Sequence, residues 1–382
     1  MEVDLVMRKQ ILSAANRILY KNKNKVVFYG RSKFESNHHA LIQYMIKNGY
    51  NEKYKIYLVV SDKNDLQYYR NIKNVFAIEG AVGGAWHTLT AKYVFHCYGM
   101  GKMSNKVPRN QVVFDIWHGT ALKSLGKYGS DYHNYSTYIL AASDFAKNYF
   151  KDCFGYEEEQ FFICGYPRCD LFFEKKDVLK EFGIDKNDYK KTVLYMPTFR
   201  KAAQFGYDDS DREFPLFTKE KFVEFNEFLA AKNIMFVIKP HPAQDNIDIL
   251  NSLQMSNIKV VKNKNLLDKN ILLYSLVANA DALITDYSSI FFDYLLTQKP
   301  IGFVIDDISA YGENRGFVVD DPLNYMPGEK INDVQGLENF IEGILSGKDD
   351  WKEERKRIND LVNADQEGDY CKKILDFVGI VK

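Results

Sequence analysis

The sequence has no long apolar run, little cysteine and no excess of either charge, and each shortage removes a class of protein. No stretch approaches the roughly 18 uncharged apolar residues that would span a bilayer. The opening MEVDLVMRKQ has no apolar h-region, so neither a secretory signal nor a transmembrane helix is expected. The five cysteines, Cys97, Cys153, Cys164, Cys169 and Cys371, form no CxxC pair and no even framework, which predicts reduced thiols in a cytosolic protein. Lys and Arg number 51, and so do Asp and Glu. A neutral chain exerts no long-range pull on a polyanion, so no nucleic-acid partner is expected. There is no Walker A and no GxGxxG pattern, against a P-loop NTPase or a dinucleotide oxidoreductase. His38-His39 and His87…His96 lack zinc spacing, so no structural metal is predicted.

What remains is a globular chain of 382 residues, 46% hydrophobic and 27% charged, long enough for two domains with separate cores. Residues 1–25 form a basic amphipathic segment: Val6, Ile11, Leu12, Ala15 and Leu19 keep helical spacing among Arg8, Lys9, Arg17, Lys21, Lys23 and Lys25. Such a helix either packs on a core or lies on an anionic membrane surface. Apolar, β-branched runs then alternate with helical patterns: 26–30, 56–60, 75–78, 93–97, 112–119, 138–143 and 161–167, then 193–197, 234–240, 258–261, 282–285 and 301–305. Helices are predicted between them, for example over 39–47, over 145–154 behind the N-cap Ser143, and over 219–231, 272–280 and 288–296. Strands alternating with helices predict parallel sheets of right-handed βαβ units. The reading is α/β: two Rossmann-like doubly wound domains facing a cleft, over 26–175 and 190–350, with C-terminal helices over 351–382. The polar stretch 174–192 is the expected interdomain region, and GAVGGAW (80–86) reads as a flexible loop.

Ligands of such sheets bind at the carboxyl ends of strands, which draws attention to four motifs. In DIWHGTALKSLG (115–126), His118 sits in a turn, Gly119 permits a tight backbone, and Thr120 is placed to cap a helix whose Lys123 and Lys127 share one face. An imidazole there suits a general base. In YMPTFR (195–200), Pro197 ends a strand, and Arg200 is placed to grip a phosphate through its guanidinium fork. In IKPHPAQD (238–245), Lys239 and His241 follow a buried strand, and His241 is held between two prolines. In DALITDYSSIFFDYLL (281–296), Asp286 and Tyr287 turn the chain, and Ser288 or Ser289 caps a helix whose N-terminus offers amide donors to an anion. The acidic run DDSD (208–211) is read as a solvated loop, not a metal site.

These motifs, in this order, resemble the CDP-glycerol glycerophosphotransferase family, the teichoic-acid primases and polymerases. The likeness is carried by WHGTALKSLG (117–126), GYPRCD (165–170), MPTFR (196–200), KPHP (239–242), TDYSSIFFDYLLTQKPIGF (285–303) and RGF (315–317). It implies a GT-B fold with an acceptor-side N-terminal half and a nucleotide-binding C-terminal half. The implied reaction moves a polyol phosphate from a CDP-alcohol to a hydroxyl of a lipid-linked acceptor, in teichoic-acid or capsular polymer synthesis, and releases CMP. His118 and His241 match the family's two essential histidines, and Arg200, Ser288 and Ser289 match positions tied to the donor phosphates. The expected catalytic set is therefore His118, His241 and Arg200. Lys239, Asp286, Ser288, Ser289, Thr198 and Arg315 are expected on the donor side, and Gly119, Thr120 and Lys123 on the acceptor side. CDP-glycerol is the expected donor, with CDP-ribitol as the alternative; no cofactor is required, and a divalent cation is left open. The expected location is peripheral, on the inner face of the cell membrane, through residues 1–25. A glycosyltransferase using a nucleotide sugar and a non-catalytic nucleotide-binding module are the competing readings, because function resides in the site and not in the fold.

Overall fold

The structure, a computed structural model, describes residues 2–30, 36–60, 69–99, 107–123, 135–198, 201–202, 207–208, 216–241, 255–306, 308 and 316–382, with backbone alone for 2–9, 201–202 and 207–208. The chain divides into two units: Met1–Thr120, Leu125–Leu171 and Val362–Lys382 form the first, and Ala121–Ser124 with Phe172–Leu361 the second.

In the first unit the strands are β1 (Asn22–Tyr29), β2 (Lys55–Val60), β3 (Val75–Glu79), β4 (Ala91–His96), β5 (Val112–Asp115), β6 (Tyr138–Ala141) and β7 (Phe161–Ile163). They form one sheet in the order β3-β2-β1-β4-β5-β6-β7, every pairing parallel. Val26, Val27, Phe28, Val94, Phe95, Val113 and Phe114 are buried on both faces of it, which is why these strands read as continuous apolar runs and not as alternating ones. The chain runs outward from β1 to β3 and returns on the other side of β1 as β4. That reversal opens a crevice at the carboxyl ends of β1 and β4.

Helices α1 (Glu2–Ile18), α2 (Ser36–Lys47), α3 (Ala81–Thr90) and α4 (Asp144–Phe154) flank this sheet. Ser143 caps α4, its side chain accepting the Ala146 N–H, as expected. The segment GAVGGAW is not a loop: it opens α3. Gly84 lets that helix sit down on β2, since a Cβ there would lie 2.6 Å from Val59 Cγ1. Leu12, Ala15 and Leu19 of α1 and the residues after it pack on the same core cluster.

The second unit holds β8 (Lys191–Met196), β9 (Ile234–Ile238), β10 (Ile258–Val260), β11 (Ala282–Thr285), β12 (Ile301–Val304) and β13 (Glu329–Ile331). Their order is β10-β9-β8-β11-β12-β13, again all parallel. Its core gathers Val193, Tyr195, Phe222, Phe225, Leu229, Phe236 and Ile284 with Leu337 and Ile341 of the helix Val334–Ser346. Here too the chain reverses about its first strand, placing the carboxyl ends of β9, β8 and β11 side by side. The 174–192 stretch forms short 3-10 turns within this unit. The C-terminal segment is two helices: Lys352–Val362 leads out of the second unit, and Tyr370–Phe377 belongs to the first. The expected α/β architecture of two Rossmann-like parallel sheets is what the chain forms.

Candidate active site

At the end of β5 the backbone takes a turn that few residues tolerate. Trp117 has φ 45° and Gly119 φ 124°; the first costs a bulky residue about 1–3 kcal/mol, and such strain persists only where surrounding bonds impose it. Those bonds are present. The Asp115 carboxylate accepts the Trp117 N–H at 3.0 Å. The buried Asn37 amide, from the first turn of α2, donates to the carbonyls of Ile116 (3.2 Å) and Trp117 (2.8 Å). Arg168, in the GYPRCD loop, donates from a guanidinium nitrogen to the His118 carbonyl at 2.9 Å. A Cβ at Gly119 would meet that guanidinium at 2.4 Å, so only glycine fits beneath it.

The turn fixes the His118 side chain as firmly as its backbone. Nδ1 lies 3.2 Å from the Cys97 carbonyl oxygen, at the end of β4. A carbonyl only accepts, so Nδ1 carries the proton and Nε2 keeps its lone pair. Burial, reinforced by the Arg168 charge and opposed by the Cys97 bond, pushes the pKa down to about 4, so the ring is a neutral acceptor at physiological pH. Thr120 is buried, its hydroxyl 3.5 Å from that of Tyr166.

One expectation is corrected here. No helix begins at Thr120: the chain bends at Leu122, whose carbonyl accepts the Val318 N–H, and Lys123 forms an antiparallel bridge with Phe317 in the second unit. Backbone pairing with the 317–318 segment outcompetes the local capping signal, so Lys123 is not on a helical face; Lys127 lies outside the described residues.

A second imidazole nearby imitates a hydrolytic triad without being one. His96 Nε2 is 2.7 Å from Ser136 Oγ, and its Nδ1 is 3.6 Å from Asp115. The Gly99 N–H donates to Nδ1 at 3.0 Å, so Nε2 carries the proton and donates to the serine. An activated serine requires the opposite tautomer.

In the second unit, three neighbouring strand ends bear the remaining motifs. Thr198, just beyond β8, donates from its N–H (2.8 Å) and its hydroxyl (2.7 Å) to one oxygen of the buried Asp286, just beyond β11. Thr285 ties the same two strand ends by donating to the Met196 carbonyl at 2.7 Å. Lys239, beyond β9, is buried; its N–H donates to Tyr195 O on β8, and its ammonium donates to the Pro240 carbonyl at 2.6 Å. His241 follows, partly exposed. Asp286 thus organises the PTFR turn. Ser289 stands at the N-cap position of the helix Ile290–Tyr294, but its side chain makes no capping bond, and that helix has only five residues; Ser288 precedes it. The hydroxyl cap expected there is therefore not formed. Arg200 and Arg315 lie outside the described residues.

The residues that hold His118 escaped the motif reading. Arg168 lay inside GYPRCD without a role, Asp115 opened the 115–126 motif without one although its partner Trp117 is only two residues on, and Asn37 carried no local signal because its partners come from another element. No cluster of three His, Cys, Asp or Glu side chains suited to a metal occurs among the described residues.

Comparison with known proteins follows the same line. The family model described as CDP-glycerol:poly(glycerophosphate) glycerophosphotransferase matches residues 11–379. The chain is 32% identical over 262 residues, 68% of its length, to the teichoic acid glycerol-phosphate primase of Bacillus subtilis (strain 168), and spans 60% of that protein. It is 28% identical over 94% of its length to the teichoic acid poly(glycerol phosphate) polymerase of Bacillus spizizenii, covering 93% of it. Its fold is similar to that of the wall teichoic acid polymerase TagF, with a TM-score of 0.74 over 98% of this chain and 92% of the other at 18% identity, in keeping with the expected GT-B class.

Proposed function

Because this chain belongs to the CDP-glycerol:poly(glycerophosphate) glycerophosphotransferase family, we propose that it transfers glycerol phosphate from CDP-glycerol to a hydroxyl of a lipid-linked acceptor and releases CMP. The observation that carries the reading is His118, a neutral imidazole with its Nε2 lone pair available and its orientation imposed by a strained turn. In this reading the acceptor hydroxyl gives its proton to Nε2 as its oxygen attacks the phosphorus that bears glycerol. The bond from that phosphorus to the bridging oxygen breaks, and CMP leaves with the electron pair. Charge grows on the bridging and equatorial oxygens, so the site must supply donors there. Protonated His241 and Arg200 fill that role, with Thr198, Lys239, Ser288, Ser289 and Arg315 on the donor phosphates and Asp286 holding the turn that carries Thr198. Gly119 and Thr120 shape the acceptor side.

A lipid-linked acceptor calls for a protein that works at a membrane surface. Among the described residues no helix is long and apolar enough to cross one. Instead α1 and α3, which pack together, expose Ile11 (61%), Ile18 (85%), Val82 (84%) and Trp86 (56%) beside Arg17. Apolar side chains with a basic fringe suit peripheral attachment to an anionic leaflet. The test of the reaction is mass spectrometry of products formed from CDP-glycerol, CDP-ribitol and UDP- or GDP-sugars with a synthetic lipid-linked acceptor. A product heavier by one glycerol phosphate, with CMP released, is expected. Ribitol phosphate transfer alone would change the alcohol, and hexose transfer would overturn the reaction.

A further inference from the structure

We propose that Tyr98 is a positioning residue for His118, clamping the imidazole together with Trp117, so that Nε2 is presented in a single orientation. The inference rests on the reading of His118 as the base and adds to it a residue that no motif singled out. The Tyr98 ring stacks on the imidazole with centroids 4.4 Å apart and planes at 25°. The Trp117 ring lies 4.0 Å away at 32°. Both rings therefore lie close against the imidazole, the tyrosine stacked and the tryptophan tilted.

The same short segment supplies the tether as well as the clamp. Cys97 O accepts the His118 Nδ1 proton, and Tyr98 is the next residue. Their conformation is set from beneath by His96. Its Nδ1 accepts the Gly99 N–H across the turn, and its Nε2 proton is anchored on Ser136 Oγ. Gly99, at φ 74°, provides the left-handed step that lets the turn close back on this ring. The buried His96, which looks like a catalytic member of a triad, instead shapes the turn that delivers both a hydrogen-bond acceptor and an aromatic face to His118. Two aromatic walls exclude water from the imidazole and disfavour its charged form, consistent with the downward displacement of its pKa. A ring held by one hydrogen bond and two aromatic neighbours has little orientational freedom left to lose when the acceptor hydroxyl arrives.

The test is the pH profile of kcat/KM for CMP release from CDP-glycerol, measured for the wild type, Tyr98→Phe, Tyr98→Ala and His118→Ala, with Tm recorded for each. The acidic limb of that profile reports the base in the free enzyme. Tyr98→Phe keeps the stacking face and is expected to keep the wild-type limb. Tyr98→Ala hydrates one face, so the limb moves up toward the ordinary imidazole value near 6.5. At pH 6 the neutral fraction then falls to about a quarter, a loss of roughly fourfold that recovers by pH 8, while KM for CDP-glycerol is unchanged. An unmoved limb in Tyr98→Ala overturns the clamp, as does an equal loss in Tyr98→Phe, which would assign the effect to the hydroxyl. A parallel fall of Tm and activity at every pH would make Tyr98 structural only and also overturns it. His118→Ala separates the two levels: if it turns over normally, the base assignment itself fails. If it is inactive and the Tyr98→Ala limb stays put, only the clamp is wrong.

Discussion

Replacing Gly119 by alanine probes the turn that holds the proposed base. At φ 124° a non-glycine residue is strained by about 1–3 kcal/mol. The new Cβ would also sit 2.4 Å from an Arg168 guanidinium nitrogen, an overlap that forces the guanidinium away. Its charge-assisted bond to the His118 carbonyl is then lost, at about 1.5–3 kcal/mol. The turn cannot absorb both effects in place, so the imidazole moves, and a displacement near 1 Å costs on the order of 100-fold in rate. The assay is CMP release from CDP-glycerol under saturating donor, paired with thermal unfolding. Gly347→Ala serves as the control: Gly347 has φ 73° at the end of the helix Val334–Ser346, with nothing within 4 Å of its would-be Cβ. It pays a backbone cost of about 1–2 kcal/mol and should leave kcat unchanged. A folded Gly119→Ala protein with kcat within threefold of wild type would refute the argument that this turn positions the base.

Arg168→Lys keeps the charge but not the planar fork. With each 1.36 kcal/mol worth a factor of ten, losing the bond to His118 O should lower kcat about ten- to a hundredfold and leave KM for CDP-glycerol alone. Steady-state kinetics would show it, and a pure KM effect would contradict it. His38 is wholly buried, and its pKa is depressed to about 3, chiefly by burial and then by His96 and His39. A depressed folded pKa means its contribution is full above the unfolded value of 6.5 and is lost as pH falls toward 3, at about 1.4 kcal/mol per pH unit. Urea unfolding at pH 7 and pH 5 should therefore show His38→Leu losing about 2 kcal/mol less than wild type across that interval; equal losses would be inconsistent with a neutral buried ring. Trp86→Asp combined with Val82→Asp should weaken co-sedimentation with anionic vesicles, and binding by the wild type should fall in high salt. Unchanged binding would remove α3 as the contact.

The sheets were legible because parallel strands buried on both faces are continuous apolar runs, as in VVFY of β1 and IMFVI of β9. The edge strand β13, EKI, escaped because it is three residues long and two of them are charged. GAVGGAW misled because glycine is a local breaker yet also permits close packing, and only the Val59 contact shows which applies. The C-terminal helices expected over 351–382 are Lys352–Val362 and Tyr370–Phe377; what the sequence did not show is the start of the second, where Asp369 has φ 57° and the Tyr370 and Cys371 N–H groups are taken by the Asp170 carboxylate. The strand-end placement of His118, Lys239 and Asp286 followed from local patterns. The residues that give His118 its orientation did not, because Asn37, Arg168 and Tyr98 reach it from other elements, and a single sequence records no such contacts.

The most direct measurement is CMP release from CDP-glycerol by purified His118→Ala and His241→Ala proteins that retain the wild-type circular dichroism and Tm. The account predicts that each loses at least about two orders of magnitude in kcat. Near-normal release by both would contradict it.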